Sequence, residues 1–182
     1  MNVSDPAERV RPLLRTRQVR EFTPEPLTDE ELAALTDVAR WSGSSKNSQP
    51  WRFIVVRDRA VLQRLHEAGL PQTRSLKTAP SAIAIVLGGD PADPDQAFDE
   101  GRAAERMLVA AGLLGIGAGI AWIFPQVRPL VAELLGLPAD RFVRTFVVVG
   151  HPSEEAMRPK SAPGMARLPR SETVMHERWP EA

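Results

Sequence analysis

The sequence predicts a single domain in which helices and strands are mixed, and three observations carry this. Phe53-Ile54-Val55-Val56, Ser81 to Leu87 and Phe142 to Val149 are short, bounded apolar runs that read as buried strands. Around them stand longer stretches with helical apolar spacing and clear start and stop signals. The chain has 182 residues, enough for one domain to bury a core without staples.

Each element has its own local cause. Asp5-Pro6-Ala7-Glu8 reads as a helix start, with Asp as N-cap, Pro at the first helical position and Glu at the third. Val10, Leu13 and Leu14 follow on one face, and Pro12 is expected to kink or restart that helix. A polar, basic cluster comes next, Arg15-Thr16-Arg17-Gln18-Val19-Arg20. Phe22, Pro24 and Pro26 then end helical structure and give an extended crossing segment. Thr28-Asp29-Glu30-Glu31 is a capping box, stapled by Leu27 and Leu32, and it opens a helix that buries Leu32, Leu35, Val38 and Ala39.

That helix delivers the chain to Ser42-Gly43-Ser44-Ser45-Lys46-Asn47-Ser48-Gln49-Pro50-Trp51, the longest strongly polar run before residue 60. Pro50 denies the run a backbone donor and pushes Gln49 toward an extended conformation. Asp58 caps a short helix carrying Val61, Leu62 and Leu65, and the stretch from Gly69 to Pro80 is irregular and basic, with Arg74 and Lys77. After the strand at 81–87 and an acidic turn region, a long helix is expected from about Gln96 to Leu114. Its stripe of Ala104, Met107, Leu108, Ala111 and Leu114 lets another helix approach closely, so it is central within the domain or between subunits. Gly115 to Ile123 leads into a strand-like run, and Gln126 to Leu135 forms a helix closed by Gly136 with Pro138 beyond. From Gly150 onward the chain is rich in proline and basic residues. It is either disordered or lies along another surface, and Trp179 favours docking.

Composition removes several function classes. With no cysteine there are no disulfides, iron–sulfur clusters, thiolate metal sites or cysteine nucleophiles. Twenty-three basic and 23 acidic side chains balance, so nothing suggests a nucleic-acid surface. The three histidines are scattered without metal spacing, and the absence of tyrosine removes a common proton donor. Met1 to Arg11 contains no apolar leader, and the longest apolar stretches are broken by glycine, so no membrane association is expected and a cytoplasmic protein is. The string Gly115-Ile116-Gly117-Ala118-Gly119 is neither a P-loop nor a dinucleotide fingerprint, because it closes a helix instead of opening one. Ser44 and Ser45 lack a nucleophile-elbow context, which argues against a hydrolase.

Two polar clusters, at 15–20 and 42–51, remain as candidates. The first is either a solvated helix end or a phosphate grip, since arginine binds phosphate bidentately. The second is either a plain helix-to-strand connection or a loop whose serine and asparagine groups bond a flat heterocycle. Arg167 and Arg170, in the tail, read as ordinary surface charges on spacing alone.

On these residues the chain resembles the nitroreductase family of FMN-dependent oxidoreductases. Arg17-Gln18-Val19-Arg20-Glu21-Phe22 is similar to the family's opening arginine motif. Ser44-Ser45-Lys46-Asn47-Ser48-Gln49-Pro50-Trp51-Arg52-Phe53 resembles its serine–asparagine–glutamine–proline–tryptophan segment. Leu114-Gly115-Ile116-Gly117 is similar to its central turn, and Arg167-Leu168-Pro169 to its C-terminal phosphate-contacting segment. The resemblance runs from about residue 9 to 179.

The resemblance implies an α+β fold, a three-layer α/β/α sandwich with a central mixed, mainly antiparallel sheet, in an intertwined homodimer with two FMN sites at the interface. Residues 1–150 would form the flavin-binding domain, and 151–182 an extension wrapping the partner. Arg15, Thr16, Arg17, Gln18 and Arg20 would bind phosphate, ribityl chain and pyrimidine edge. Ser44, Ser45 and Asn47 would reach the flavin from the other subunit. Ile120, Ala121, Trp122 and Ile123 would lie against the ring and offer a backbone donor to flavin N5, and Arg167 would hold phosphate. The implied reaction passes a hydride from NADPH or NADH through FMN to a small acceptor, such as a nitroaromatic or quinone, by a ping-pong mechanism. It needs no side chain as acid–base catalyst. A flavin-binding or storage protein without turnover, or another flavin reaction such as reductive dehalogenation or flavin fragmentation, is the alternative. Thr16 and Gln18 stand where the family often has arginine and serine, and Met165 where many members have a basic residue, so the phosphate contacts would be shared differently.

Overall fold

A computed structural model of the chain describes residues 5–159, 161–162 and 167–179. Met165 lies outside the described residues. The four strands are β1 (Arg52–Val56), β2 (Ser81–Gly88), β3 (Gly117–Trp122) and β4 (Arg141–Gly150), in the order β1-β2-β4-β3 with every neighbouring pair antiparallel. One parallel bridge, Gln18 to Ala118, lies on the outer edge of β3 and makes the sheet mixed. The central strands β2 and β4 are covered on both faces, which is why they read as unbroken apolar runs instead of alternating ones.

The long helices are α1 (Pro6–Leu14), α2 (Asp29–Arg40), α3 (Arg59–Ala68), α4 (Pro94–Leu113) and α5 (Arg128–Leu135), followed by two single turns, α6 (Glu154–Met157) and α7 (Arg170–Thr173). One face of the sheet packs against α2 and α4, where Leu32, Leu35, Met107 and Leu108 meet Ile83, Ile85 and Val147. The other packs against α3 and α5, where Leu62, Leu65 and Val131 meet Ala84, Phe146 and Val148. The result is the three-layer α/β/α arrangement.

Local signals set most boundaries. Thr28 caps α2 with both halves of the capping box present, and Asp58 caps α3. Helix α4 begins two residues before the expected start, because Asp93 caps it and Pro94 occupies the first turn. Its predicted stripe is buried through Ala104, Met107, Leu108 and Ala111, whereas Leu114 is exposed beyond the helix end. Gly115 has φ +75° and turns the chain out of α4, so β3 starts only at Gly117. The restart expected at Pro12 is absent: α1 runs through it and forgoes the one bond that the missing N–H would have donated.

The chain after β4 first docks on its own domain. His151 O accepts the Thr23 amide at 2.9 Å, Pro152 bridges Phe22, and the Ser153 amide donates to Glu21 O at 3.1 Å. Further on, Leu168 and Trp179 are exposed, so the docking expected of Trp179 does not occur within its own chain. Among the described residues, no helix is long and apolar enough to cross a membrane.

Candidate functional site

The site is built on the outer edge of β3. There the segment after α1 runs alongside the strand: the Val19 amide donates to Ala118 O at 2.7 Å, and the Ile120 amide donates to Gln18 Oε1 at 3.2 Å. This approach needs glycine in β3. A Cβ on Gly119 would be driven into the Val19 carbonyl oxygen, and one on Gly117 would meet the Val19 side chain at 3.0 Å. The glycine string therefore serves close backbone approach. Val19 is buried by it, while Gln18 and Arg20 project from the opposite side of the segment, with Arg20 Nη2 donating to Gln18 Oε1 at 3.4 Å.

Two depressions flank this edge. The smaller, about 180 Å³, is lined by Arg15, Thr16, Arg17 and the 115–118 turn. Arg17 is steadied there by donating to Met157 O at 3.0 Å. The larger, about 530 Å³, is lined by Gln18, Arg20, Arg74, Lys77 and two carboxylates, Glu21 and Glu155. In the sequence Arg74 and Lys77 stand only in an irregular basic stretch. A short turn over Arg74–Lys77 carries them toward Arg20, from an element some fifty positions away.

Backbone alternation sorts the four residues Ile120 to Ile123. The Ile123 amide donates inward to Arg144 O at 2.8 Å, and Ala121 shares that orientation. The amides of Ile120 and Trp122 turn to the outer edge, where Gln18 takes that of Ile120.

Ser44, Ser45 and Asn47 lie elsewhere, against the start of α4. The Ser45 amide donates to Asp99 Oδ2 at 2.8 Å and Ser45 Oγ to Asp95 Oδ2 at 3.1 Å. Ser44 Oγ accepts the Gln49 amide at 2.9 Å. Lys46, Asn47 and Gln49 all have positive φ, at 50°, 55° and 47°, a conformation that side-chain-bearing residues rarely adopt and that clusters at functional sites. Gln49 is therefore not extended as expected from Pro50; its amide is turned to Ser44 Oγ instead. Buried Trp51 anchors the far end of the loop. Arg167 is exposed, three residues before α7, and lines neither of the two depressions.

Behind β3, Arg144 and Arg128 share the neighbourhood of Glu100. Burial, with the charge of Arg144, lowers the Arg128 guanidinium below its ordinary value, and Glu100 opposes that shift. Among the described residues, no group of three or more His, Asp or Glu side chains could hold a metal ion.

A family model described as the nitroreductase family matches residues 13–81, which include both polar clusters and Arg74 with Lys77. A protein of Archaeoglobus fulgidus, provisionally named NADH dehydrogenase/NAD(P)H nitroreductase, is 33% identical over 146 residues, 76% of this chain and 82% of that protein. The major NAD(P)H-flavin oxidoreductase of Aliivibrio fischeri is 48% identical over 42 residues, 23% of this chain and 19% of that protein. A crystal structure from Parabacteroides distasonis, under the same provisional name as the first, superposes with a TM-score of 0.79 at 25% identity, covering 94% of this chain and 99% of that one.

Proposed function

Because the chain belongs to the nitroreductase family, we propose that it is an FMN-dependent oxidoreductase, passing a hydride from NADPH or NADH through the flavin to a small acceptor such as a nitroaromatic or a quinone. The observation that carries this reading is the outer edge of β3 with a cation-lined depression on either side.

The donor set fits FMN. That molecule is a flat ring with a phosphate at one end and, when reduced, negative charge at its pyrimidine end. Arg15 and Arg17 supply guanidinium donors on one side of the edge, and Arg20, Arg74 and Lys77 supply cations on the other. Thr16 adds a hydroxyl beside Arg15 and Arg17, where an arginine would have added a third charge. The flavin, when bound, supplies reversible hydride uptake. Arg20, Arg74 and Lys77, which outnumber Glu21 and Glu155 in the same depression, would offset negative charge at the pyrimidine end. Gln18 fixes the Ile120 amide, and Trp122 turns its own amide to the same edge as a donor toward the ring. No side chain is assigned as an acid–base catalyst. One face at this edge, used in turn by the nicotinamide and the acceptor, would give the ping-pong order. A cytoplasmic location goes with this reading, since reduced nicotinamide is regenerated there.

The proposal includes a homodimer. Ser44, Ser45 and Asn47 line neither depression at the β3 edge of their own chain, which supports the reading that they complete the site of a partner. Leu13, Leu14, Leu168 and Trp179 are exposed apolar side chains that such an interface would cover. In this arrangement residues 1–150 are the flavin-binding domain, residues 151–157 fasten the extension to it, and the remainder lies over the partner and brings Arg167 to the phosphate.

Purified protein should be yellow and release its flavin on heating. NADPH or NADH should bleach the colour, and a nitroaromatic or quinone should restore it. A colourless protein that also fails to bind FMN at micromolar concentration would overturn the reading. A yellow protein that neither bleaches nor turns over would be a flavin carrier.

A further inference from the structure

Strand β4 carries an irregularity beside the site. Ile85 pairs with Thr145 and Val86 with Val143, so Arg144 is one residue too many for the register. A bulge of this kind turns an additional side chain to one face of the sheet. Here it sends Arg144 toward α4, where Nε and Nη2 meet the same Glu100 oxygen at 2.7 and 2.6 Å. Nη1 donates to Pro91 O at 2.9 Å. Arg144 and Glu100 are 6% and 2% exposed.

A buried ion pair is a weak stabiliser, because desolvation consumes most of the attraction, and apolar residues of similar volume often serve as well. The same arginine does something that an apolar residue cannot. Its guanidinium carbon lies 5.8 Å from the centroid of the Trp122 ring, within cation–π range. Its main-chain carbonyl, which any residue at this position would supply, accepts the Ile123 amide at 2.8 Å. One residue thus holds the Trp122 ring and the peptide that follows it. Trp122 is otherwise half exposed at the end of an edge strand, where a chain frays most readily.

We propose that Arg144, held by Glu100, is a positioning residue that locks the Trp122 end of β3 and so fixes the outward Trp122 amide against the flavin ring. This rests on the flavin reading of the β3 edge. The residues act through Trp122, not on the reacting atoms.

The test uses the full chain with Trp41→Phe and Trp179→Phe, which leaves buried Trp51 and half-exposed Trp122 as the emitters. Into this background go Glu100→Leu with Arg144→Met together, so that no charge is left unpaired, and separately Arg144→Lys. Two readouts are taken: acrylamide quenching of the flavin-free protein, and titration with FMN. The double variant should keep the parent's thermal midpoint, show stronger quenching of Trp122, and bind FMN more weakly by roughly two- to fivefold, the factor a cation–π contact represents. Arg144→Lys, which keeps the charge but loses the planar fork, should fall between. A changed thermal midpoint with parent-like quenching and parent-like FMN affinity would mean a structural pair only and would overturn the proposal. If the double variant does not fold, Arg144→Lys decides by the same two readouts, and parent-like values overturn the proposal. Failure of the parent itself to bind FMN would instead overturn the flavin reading, and the presentation of Trp122 with it.

Discussion

Gln18 and Ile120 are joined across the outer edge of β3, the Ile120 amide donating to Gln18 Oε1 at 3.2 Å. The same oxygen accepts from Arg20 Nη2 at 3.4 Å. One side-chain carbonyl therefore ties the sheet edge to a site cation. Gln18→Ala removes both bonds. A hydrogen bond of this class contributes about 1 kcal/mol to folding, so the melting temperature should fall by about 2–4 °C. FMN affinity should fall as well, because the sheet edge and Arg20 lose their common tether. Fluorescence titration with FMN measures this, and an unchanged affinity would take Gln18 out of the site.

Arg20 faces the larger depression with Arg74 and Lys77. In the exposed setting of this residue, removing one charge changes the balance between reduced and oxidised flavin by about 1–2 kcal/mol. Arg20→Ala should lower the flavin midpoint potential and slow reduction by NAD(P)H, and Arg20→Lys should recover part of both. Potentiometry on the three proteins with matched flavin occupancy checks this, and equal potentials would move the cationic role to Arg74 or Lys77.

Gly119→Ala forces a methyl group into the Val19 carbonyl, an obstacle that cannot rotate aside. Overpacking of this kind costs about 1–3 kcal/mol. The segment carrying Arg17 to Arg20 should be displaced from β3, so a lower melting temperature and loss of the yellow colour should appear together. Gly101→Ala in α4, where a Cβ meets nothing within 4 Å, is the control. It should stabilise by roughly 0.4–1 kcal/mol through the unfolded chain and leave flavin binding alone.

Asp99→Ala deprives the Ser45 amide of its acceptor. Loss of a buried charged acceptor costs about 1–3 kcal/mol. The positive-φ residues Lys46, Asn47 and Gln49 lose their main anchor, so trypsin should cut after Lys46 faster in this variant than in the parent. Equal cleavage rates would show that Ser44 Oγ and Trp51 hold the loop unaided.

Removal of residues 159–182 leaves the 151–157 segment docked on Glu21 to Thr23. The shortened chain should fold and elute as a monomer in size-exclusion chromatography, with weakened flavin retention. A dimer of undiminished flavin content would show that the extension is not the clasp.

What could be read from the sequence was what depends on near neighbours. The capping box at Thr28–Glu31 and the caps Asp5 and Asp58 involve residues a few positions apart, and each formed as its pattern specified. The apolar runs gave the strands, and the β4 run hid its irregularity, because a bulge at Arg144 is a property of pairing with β2 and leaves no trace in β4 alone. The close approach that the glycines at 117 and 119 permit involves Val19, about a hundred positions away, so their packing role is a tertiary property that the glycine string alone does not reveal. Arg74 and Lys77 were visible as charges but not as neighbours of Arg20, since the convergence of their turn with the 17–21 segment is tertiary.

Asp99 and Glu100 are consecutive on α4, so their side chains leave the helix about 100° apart. Asp99 grips the Ser45 loop and Glu100 grips Arg144 behind Trp122. In the proposed dimer the loop belongs to the partner's site and Trp122 to the chain's own. A single turn of one helix is then the common footing of two catalytic centres. A rotation or shift of α4 on loading one centre of that dimer would move the supports of both, and the successive flavin affinities of the two sites would then differ.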